Sequence, residues 1–383
     1  MKIAFLLPVV SDSRSHRRIR ALKNLGVHPV ILAFERKYYR GNPISGGYAS
    51  LGYIEHSRYY KRLIPFLRVL CKVRAQVKEA DAIYAFGLDM LLLGRLACLG
   101  LPKPLKAVYE VADIREVLLG KGLFSCCLRW LERFLLRRTD LIVVTSEAFV
   151  SGYYREIQRL TTPRYLAIEN KLDTGLLAQI PASSDNKSDE IIRIGYFGVI
   201  RCRRSLEILQ EAAKQSSGRV QVYIRGFPLG VGDLENEVRN NPYIKYDGPY
   251  VAPDDLPTLY SQTDVVWACY PYQGNGIGNY LWARTNRFYE SCCFKRPMLA
   301  QKGTEDGRLI EALGLGMCLN LSDIKEAVEC ILSITRTMLN QWQQAISLLS
   351  QDIYVLTGEH ERLLGMLKSS KLTDMRLQGA KNE

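Results

Sequence analysis

The stretch IIRIGYFGVIRCRRSLEILQEAAKQ, residues 191–215, decides how this chain folds. Its first ten residues are mostly apolar and β-branched or aromatic, as in a parallel strand buried on both faces. Gly198 marks the exit from that strand. Residues 204–215 then take up a helical period, so the stretch reads as strand, turn and helix. That is one half of a βαβ unit, and a chain built from such units forms parallel α/β sheets.

The same alternation continues on both sides. Upstream, strands are predicted over 2–10, 28–34, 80–87, 105–113, 141–146 and 163–170. Helices are predicted over 15–26, 89–100 and 126–140, with Gly26 as a C-terminal stop. The segment 57–78 reads as long, amphipathic and basic. Downstream, strands fall over 220–226, 264–271 and 296–303, and helices over 204–215, 254–263, 288–295 and 305–314, with two more helices near the end. The stretch IPASSDNKSDE, 180–190, has a linker's composition. The tail 371–383 is polar. With 383 residues, two domains are expected: residues 1–180, then 190–340, with helices in 341–383 packing back towards the first. The fold class is α/β, two doubly wound Rossmann-like domains facing a cleft.

Charge divides the same way. Residues 1–185 hold 29 Lys and Arg against 16 Asp and Glu, whereas residues 186–383 hold 23 of each. The whole net charge of +13 therefore lies in the first half, which points to different partners for the two halves. The segments 59–78 and 122–138 mix basic residues with Leu, Phe, Trp and Tyr. They read either as faces resting on an anionic inner-membrane surface or as ordinary helices packing on a sheet. The basic charge is not interleaved into any nucleic-acid-binding motif. Ten cysteines and four histidines without C-x-x-C spacing argue against a zinc site. The start MKIAFLLPVV reads as a first buried strand rather than a signal peptide, and no run of about 18 apolar residues is present to span a membrane. Together these features favour the cytoplasm.

Loops after parallel strands are where ligands bind in such folds. Four groups of residues fall there. Gly198, Arg201 and Arg204 precede a helix whose free N–H groups suit an anion. The stretch GNGIGNYLWARTNRFYE, 274–290, joins Gly274, Gly276 and Gly278 to Arg284, Arg287 and Glu290. The glycines let backbone approach a phosphate or sugar, the arginines neutralise diphosphate charge, and Glu290 accepts from a ribose diol. The alternative is a flexible surface loop, with Glu290 a helix-dipole charge. Glu110 and Asp113 leave a first-domain strand, each suited to take or orient a hydroxyl proton; Asp113 alternatively caps a helix. Asp12 and Arg14 follow the first strand and suit an anionic acceptor, whereas Arg18 and Arg20 read as a solvated basic face.

Read together, the pieces resemble the GT-B glycosyltransferases, most closely bacterial members of glycosyltransferase family 4. In the first domain the resemblance rests on SDSRSHRRIRALKNLG, ADAIYAFGLDMLLLG, YEVADIRE, LERFLLRRTDLIVVTSEAF and YLAIEN. In the second it rests on IGYFGVIRCRRSLEIL, YDGPYVAPDDLPTLYSQTDVV, RTNRFYESCCFKRPMLA and GTEDGRLIEALGLG. It implies a nucleotide-sugar donor in the second domain. Arg204 then contacts the diphosphate, where a lysine is commoner. Asn286, Arg287 and Glu290 form the family's N-(basic)-x-x-E segment, with Glu290 on the ribose. The backbone at Tyr250 and Val251 reads the base, and Asp113 serves the acceptor side. Trp282 stands where many members carry a second glutamate, although polysaccharide-assembling members often lack it. The resemblance implies metal-independent, retaining transfer without a cofactor, consistent with the missing Asp-x-Asp motif. The implied acceptor is a glycan or a lipid-diphosphate-linked glycan of a capsule, exopolysaccharide or O-antigen. A nucleotide-sugar 2-epimerase on the same fold, a basic nucleic-acid-binding protein and a non-catalytic partner of another transferase remain as alternatives.

Overall fold

The computed structural model describes residues 1–36, 47–54, 63–161, 164–179, 190–274 and 276–369. Nearly all of the expected linker at 180–190, the tail at 371–383 and the basic start of the 57–78 segment lie outside the described residues. The chain divides into two compact units, residues 1–169 with those from 358 on, and residues 170–357.

The first unit carries seven parallel strands: β1 (Lys2–Leu7), β2 (His28–Glu35), β3 (Ala49–Tyr53), β4 (Ala82–Phe86), β5 (Lys106–Val111), β6 (Leu141–Val144) and β7 (Tyr165–Ala167). Their order is β3-β2-β1-β4-β5-β6-β7. Every residue of β4, and all of β1 except Lys2, is buried, which explains apolar runs without alternation. The strand order reverses between β1 and β4, so their carboxyl ends diverge and leave room for a ligand.

The second unit repeats the winding with β8 (Ile192–Ile200), β9 (Val220–Pro228), β10 (Ile244–Tyr246), β11 (Val265–Trp267), β12 (Met298–Gln301) and β13 (Gly316–Leu319), in the order β10-β9-β8-β11-β12-β13. Its strands are buried from both faces. Ile192, Ile194 and Tyr196 enter one apolar cluster and Phe197 the other; likewise Val265 and Trp267 oppose Val266. The reversal lies between β8 and β11. Two glycines allow β8 and β9 to approach at their ends: Gly198 has φ +106°, and a Cβ on Gly226 would stand 1.7 Å from the Gly198 carbonyl oxygen.

The unit boundary falls at Glu169 rather than near residue 180. Leu172 exchanges backbone hydrogen bonds with Tyr354 and Leu356, at 2.8 and 3.0 Å. Leu172 and Leu176 are buried in the second core. Helix Arg336–Ser347 also belongs there, through Leu339 and Ile346. Only the segment from residue 358 joins the first unit, where helix Glu359–Lys368 packs on helix Ser13–Asn24. The sequence reading missed β3, β10 and β13, all edge strands of three to five residues. No described helix is long and apolar enough to cross a membrane.

Candidate functional site

The β8–β11 reversal of the second unit is closed by one side chain. Arg287 donates from Nη1 to the carbonyl of Phe197 in β8, 3.1 Å, and from Nη2 to that of Cys269 just past β11, 2.9 Å. These bonds use two of the five guanidinium N–H donors. The guanidinium also lies 5.5 Å from the ring centre of Tyr196. Arg287 stands there because Thr285 caps helix Asn286–Cys293, accepting from the Phe288 N–H, and so aims the first helical turn at the strand ends. One turn later Glu290, 8% exposed, accepts from the Tyr260 hydroxyl at 2.7 Å. Burial and the Glu290 carboxylate push the Tyr250 hydroxyl well above its usual range, with Arg287 opposing them. Tyr250, Arg287 and Glu290 thus share one electrostatic environment. Val251 is 63% exposed, and its N–H donates to Asp255 at 2.8 Å.

Arg201 and Arg204 flank the start of helix Arg203–Gln215, after β8. Arg201 lies 6.0 Å from the Tyr270 ring and Arg204 5.6 Å from that of Tyr272. Arg204 is also 3.7 Å from Glu207. Both tyrosines lie on the segment leaving β11, the segment whose Cys269 carbonyl holds Arg287. Cys202 joins the two elements: its Sγ accepts from the N–H of Ser205 at 3.4 Å and of Tyr272 at 3.2 Å. Sequence reasoning missed Cys202, Tyr260, Tyr270 and Tyr272, because aromatic and thiol side chains carry no motif until the strand ends are brought together.

The glycine-rich loop is built around Tyr280, whose Oη lies 2.9 Å from the Gly274 carbonyl and 2.5 Å from that of Gly276. Gly274 has φ +76°, and nothing lies within 4 Å of a Cβ on Gly276. A Cβ on Gly278 would strike the Tyr280 ring at 2.7 Å, so that glycine serves packing against the tyrosine. Asn275 lies outside the described residues. Arg284 is 3.5 Å from Glu305 and 3.6 Å from Asp306. Asp306 accepts from the Thr285 N–H at 2.8 Å, and burial pushes its carboxyl up to about 7 despite the opposing Arg284. This carboxylate therefore anchors the turn that presents Asn286 and Arg287. Trp282 is buried.

In the first unit, Asp12, Arg14, Glu110 and Asp113 all line one cavity at the ends of β1, β4 and β5. Asp12 caps helix Ser13–Asn24, accepting from the Ser15 N–H at 3.0 Å. Glu110 is 2% exposed and held by Arg18, at 3.1 and 3.4 Å, and by the Tyr84 hydroxyl. Arg14 is 3.7 Å from both Asp12 and Glu110. Arg18 is 4% exposed, so the expected solvated face is wrong at this position. It reaches inward because it neutralises Glu110 and donates to His360 Nε2 at 2.7 Å. Asp113 is exposed; the short helix Glu116–Leu119 after it begins at Arg115 without a side-chain cap.

Two doubly wound parallel units with this strand order constitute the GT-B glycosyltransferase fold. Over 96% of this chain, the structure is similar to sucrose-phosphate synthase from Thermosynechococcus elongatus, with TM-score 0.68, 14% identity and 98% of that chain covered. It is equally similar to Anabaena HepE solved with UDP and glucose, at TM-score 0.68 and 16% identity, with 96% and 99% of the two chains covered. A UDP-N-acetylglucosamine 2-epimerase aligns at TM-score 0.57 and 12% identity, covering 95% and 94%. In sequence, the chain is 29% identical over 338 residues to succinoglycan biosynthesis protein ExoL of Rhizobium meliloti (strain 1021), spanning 85% of this chain and 82% of that protein. No family model matches the chain.

Proposed function

We propose that the chain is a glycosyltransferase of exopolysaccharide assembly, moving a sugar from a UDP- or GDP-linked donor to a glycan or lipid-linked glycan. The observation that carries this reading is the convergence of Arg287, Glu290 and Tyr250 at the β8–β11 reversal, where a doubly wound sheet receives its ligand. The relatedness to ExoL supports the pathway, and the UDP in HepE supports the class of donor.

In this mechanism Glu290 accepts from the ribose hydroxyls, and the backbone at Tyr250 and Val251 borders the base. Arg204 and Arg287 stabilise the diphosphate as it departs and its charge grows, with Gly198, Gly276 and Arg201 around it. Their charges are held in place before reaction by Tyr272, Tyr196 and two strand carbonyls, so little reorganisation opposes the step. No metal is required for that stabilisation, and the transfer is of the retaining type. In the first unit, Asp113 orients the acceptor hydroxyl, which attacks from the face the diphosphate leaves and passes its proton to an oxygen of that departing diphosphate. Glu110, already neutralised by Arg18, positions Arg14 instead. The protein works in the cytoplasm, on the inner membrane surface.

The test is incubation with UDP- and GDP-sugars and a lipid extract of an exopolysaccharide-producing cell. Sugar should appear on a glycan acceptor with the parent chain, and Arg204→Ala should transfer far more slowly. Isomerised nucleotide sugar formed without any acceptor would favour the epimerase reading instead.

A further inference from the structure

Strand β9 is an exception to the two-sided burial of the second sheet. Val220, Val222 and Ile224 are buried, whereas Gln221, Tyr223 and Arg225 between them are only half-buried. That alternation belongs to a strand with one wet face. On that face the register sets Gln221 beside Arg193 of β8, and Tyr223 beside Lys245 of β10. With Tyr243 and Gln262 these side chains line a pocket of about 480 Å³, a size that suits a small molecule or a short polymer segment. Arg193 is the second residue of β8, four before Phe197, whose carbonyl holds Arg287. At about 3.3 Å per residue, the pocket lies on the order of 13 Å along the strand from the β8–β11 reversal, towards its amino end.

The lining is short of partners. Among the described residues, the side-chain amides of Gln221 and Gln262 and the Tyr243 hydroxyl make no hydrogen bond. Arg193 Nη1 is buried and likewise makes none, standing 3.7 Å from the Asp264 carboxylate. A sugar hydroxyl both donates and accepts, so it can pair with an amide, a guanidinium and a phenol alike. Tyr243 adds an apolar ring. Gly218, with φ +96°, makes room for it, since a Cβ there would stand 2.6 Å from that ring. The C–H face of a pyranose covers such a ring while its hydroxyls stay at the edge.

Charge decides against an anion. Both cations of the lining already face a carboxylate: Asp247 is 2.6 Å from Lys245, and Asp264 is the acid beside Arg193. A phosphate or a uronic acid would be set among those two acids, whereas a neutral polar ligand disturbs neither pair.

We propose that this pocket binds an uncharged segment of a glycan, separately from the nucleotide, with a sugar ring on Tyr243 and hydroxyls on Gln221, Gln262 and Arg193. The proposal goes beyond the transferase reading. It rests on that reading only in taking the glycan as the polymer under assembly, held here while its end is extended elsewhere.

Saturation-transfer NMR titration of the full chain with cellotetraose, maltotetraose and tetragalacturonate, each with and without saturating UDP, tests it. At least one neutral tetrasaccharide should bind about tenfold or more tightly than tetragalacturonate, and UDP should leave its affinity unchanged within about twofold. Tyr243→Ala should weaken that binding about tenfold, whereas Tyr243→Phe retains the ring and most of the affinity. Gln262→Ala, at an exposed position, should weaken it about threefold. Melting curves report folding, so Gln262→Ala decides if Tyr243→Ala does not fold. Neutral tetrasaccharides that bind no more tightly than tetragalacturonate, that UDP displaces, or that bind the folded variants as they bind the parent overturn the proposal. UDP binding retained beside that failure leaves the transferase reading standing. A tetrasaccharide bound through Tyr243 by a chain that binds no UDP upholds the pocket and counts against that reading.

Discussion

Replacing Arg287 by lysine separates charge from geometry at the β8–β11 reversal. The guanidinium spans the Phe197 and Cys269 carbonyls with two donors, at 3.1 and 2.9 Å. A lysine keeps the positive charge but is a single point, so it meets one carbonyl and leaves the other unpaired. A hydrogen bond from a charged group contributes about 1.5–3 kcal/mol, so the variant should lose about that much stability. Freed from one strand end, the charge also no longer waits where the proposed function puts the diphosphate. A loss of about 1.4–2.8 kcal/mol in donor binding corresponds to a dissociation constant raised about 10- to 100-fold. Chemical denaturation measures the first quantity and nucleotide calorimetry the second. If Arg287→Lys binds nucleotide as the parent does while losing stability, the fork is architectural only and its place in the site is refuted.

Other consequences follow from buried groups. Burial raises Asp306 from 3.8 to about 7, so the folded chain holds a proton that the unfolded chain releases. That contribution to stability is full below pH 4 and lost as pH rises to about 7; Asp306→Asn should flatten this slope in denaturation curves taken across that range. Burial and then Arg18 lower His360 from 6.5 to about 4, so the imidazole is neutral when folded. Its contribution is present above pH 6.5 and lost as pH falls towards 4, which hydrogen exchange of helix Glu359–Lys368 should report as faster opening in acid. Gly226→Ala places a methyl 1.7 Å from the Gly198 carbonyl. It should cost about 3 kcal/mol or more, read as a melting temperature roughly 6–12 °C lower.

The sheets were legible because strands buried on both faces write continuous apolar runs, and 191–200 is the clearest. Edge strands were not: Ala49–Tyr53, with two of its residues exposed, has no room for such a run. In the proposed site, Arg287 and Glu290 could be grouped from the sequence because they lie one turn apart on a single helix. Arg18 could not. Its partners Glu110 and His360 are 92 and 342 residues away, and nothing local distinguishes it from the exposed Arg20. The pairing of Arg284 was not legible for the same reason, since Glu305 and Asp306 reach it from the start of a later helix. Tertiary closure thus chose which of several equivalent arginines are tied to buried carboxylates.

The most direct measurement is calorimetric titration of the full chain with UDP and GDP, repeated on Glu290→Gln. The amide preserves shape and an acceptor for the Tyr260 hydroxyl while removing the carboxylate. One of the two nucleotides should bind the parent, with affinity about tenfold or more weaker in the variant. Equal affinity for parent and variant, or no binding of either nucleotide by the parent, would contradict a nucleotide-sugar site at this strand reversal.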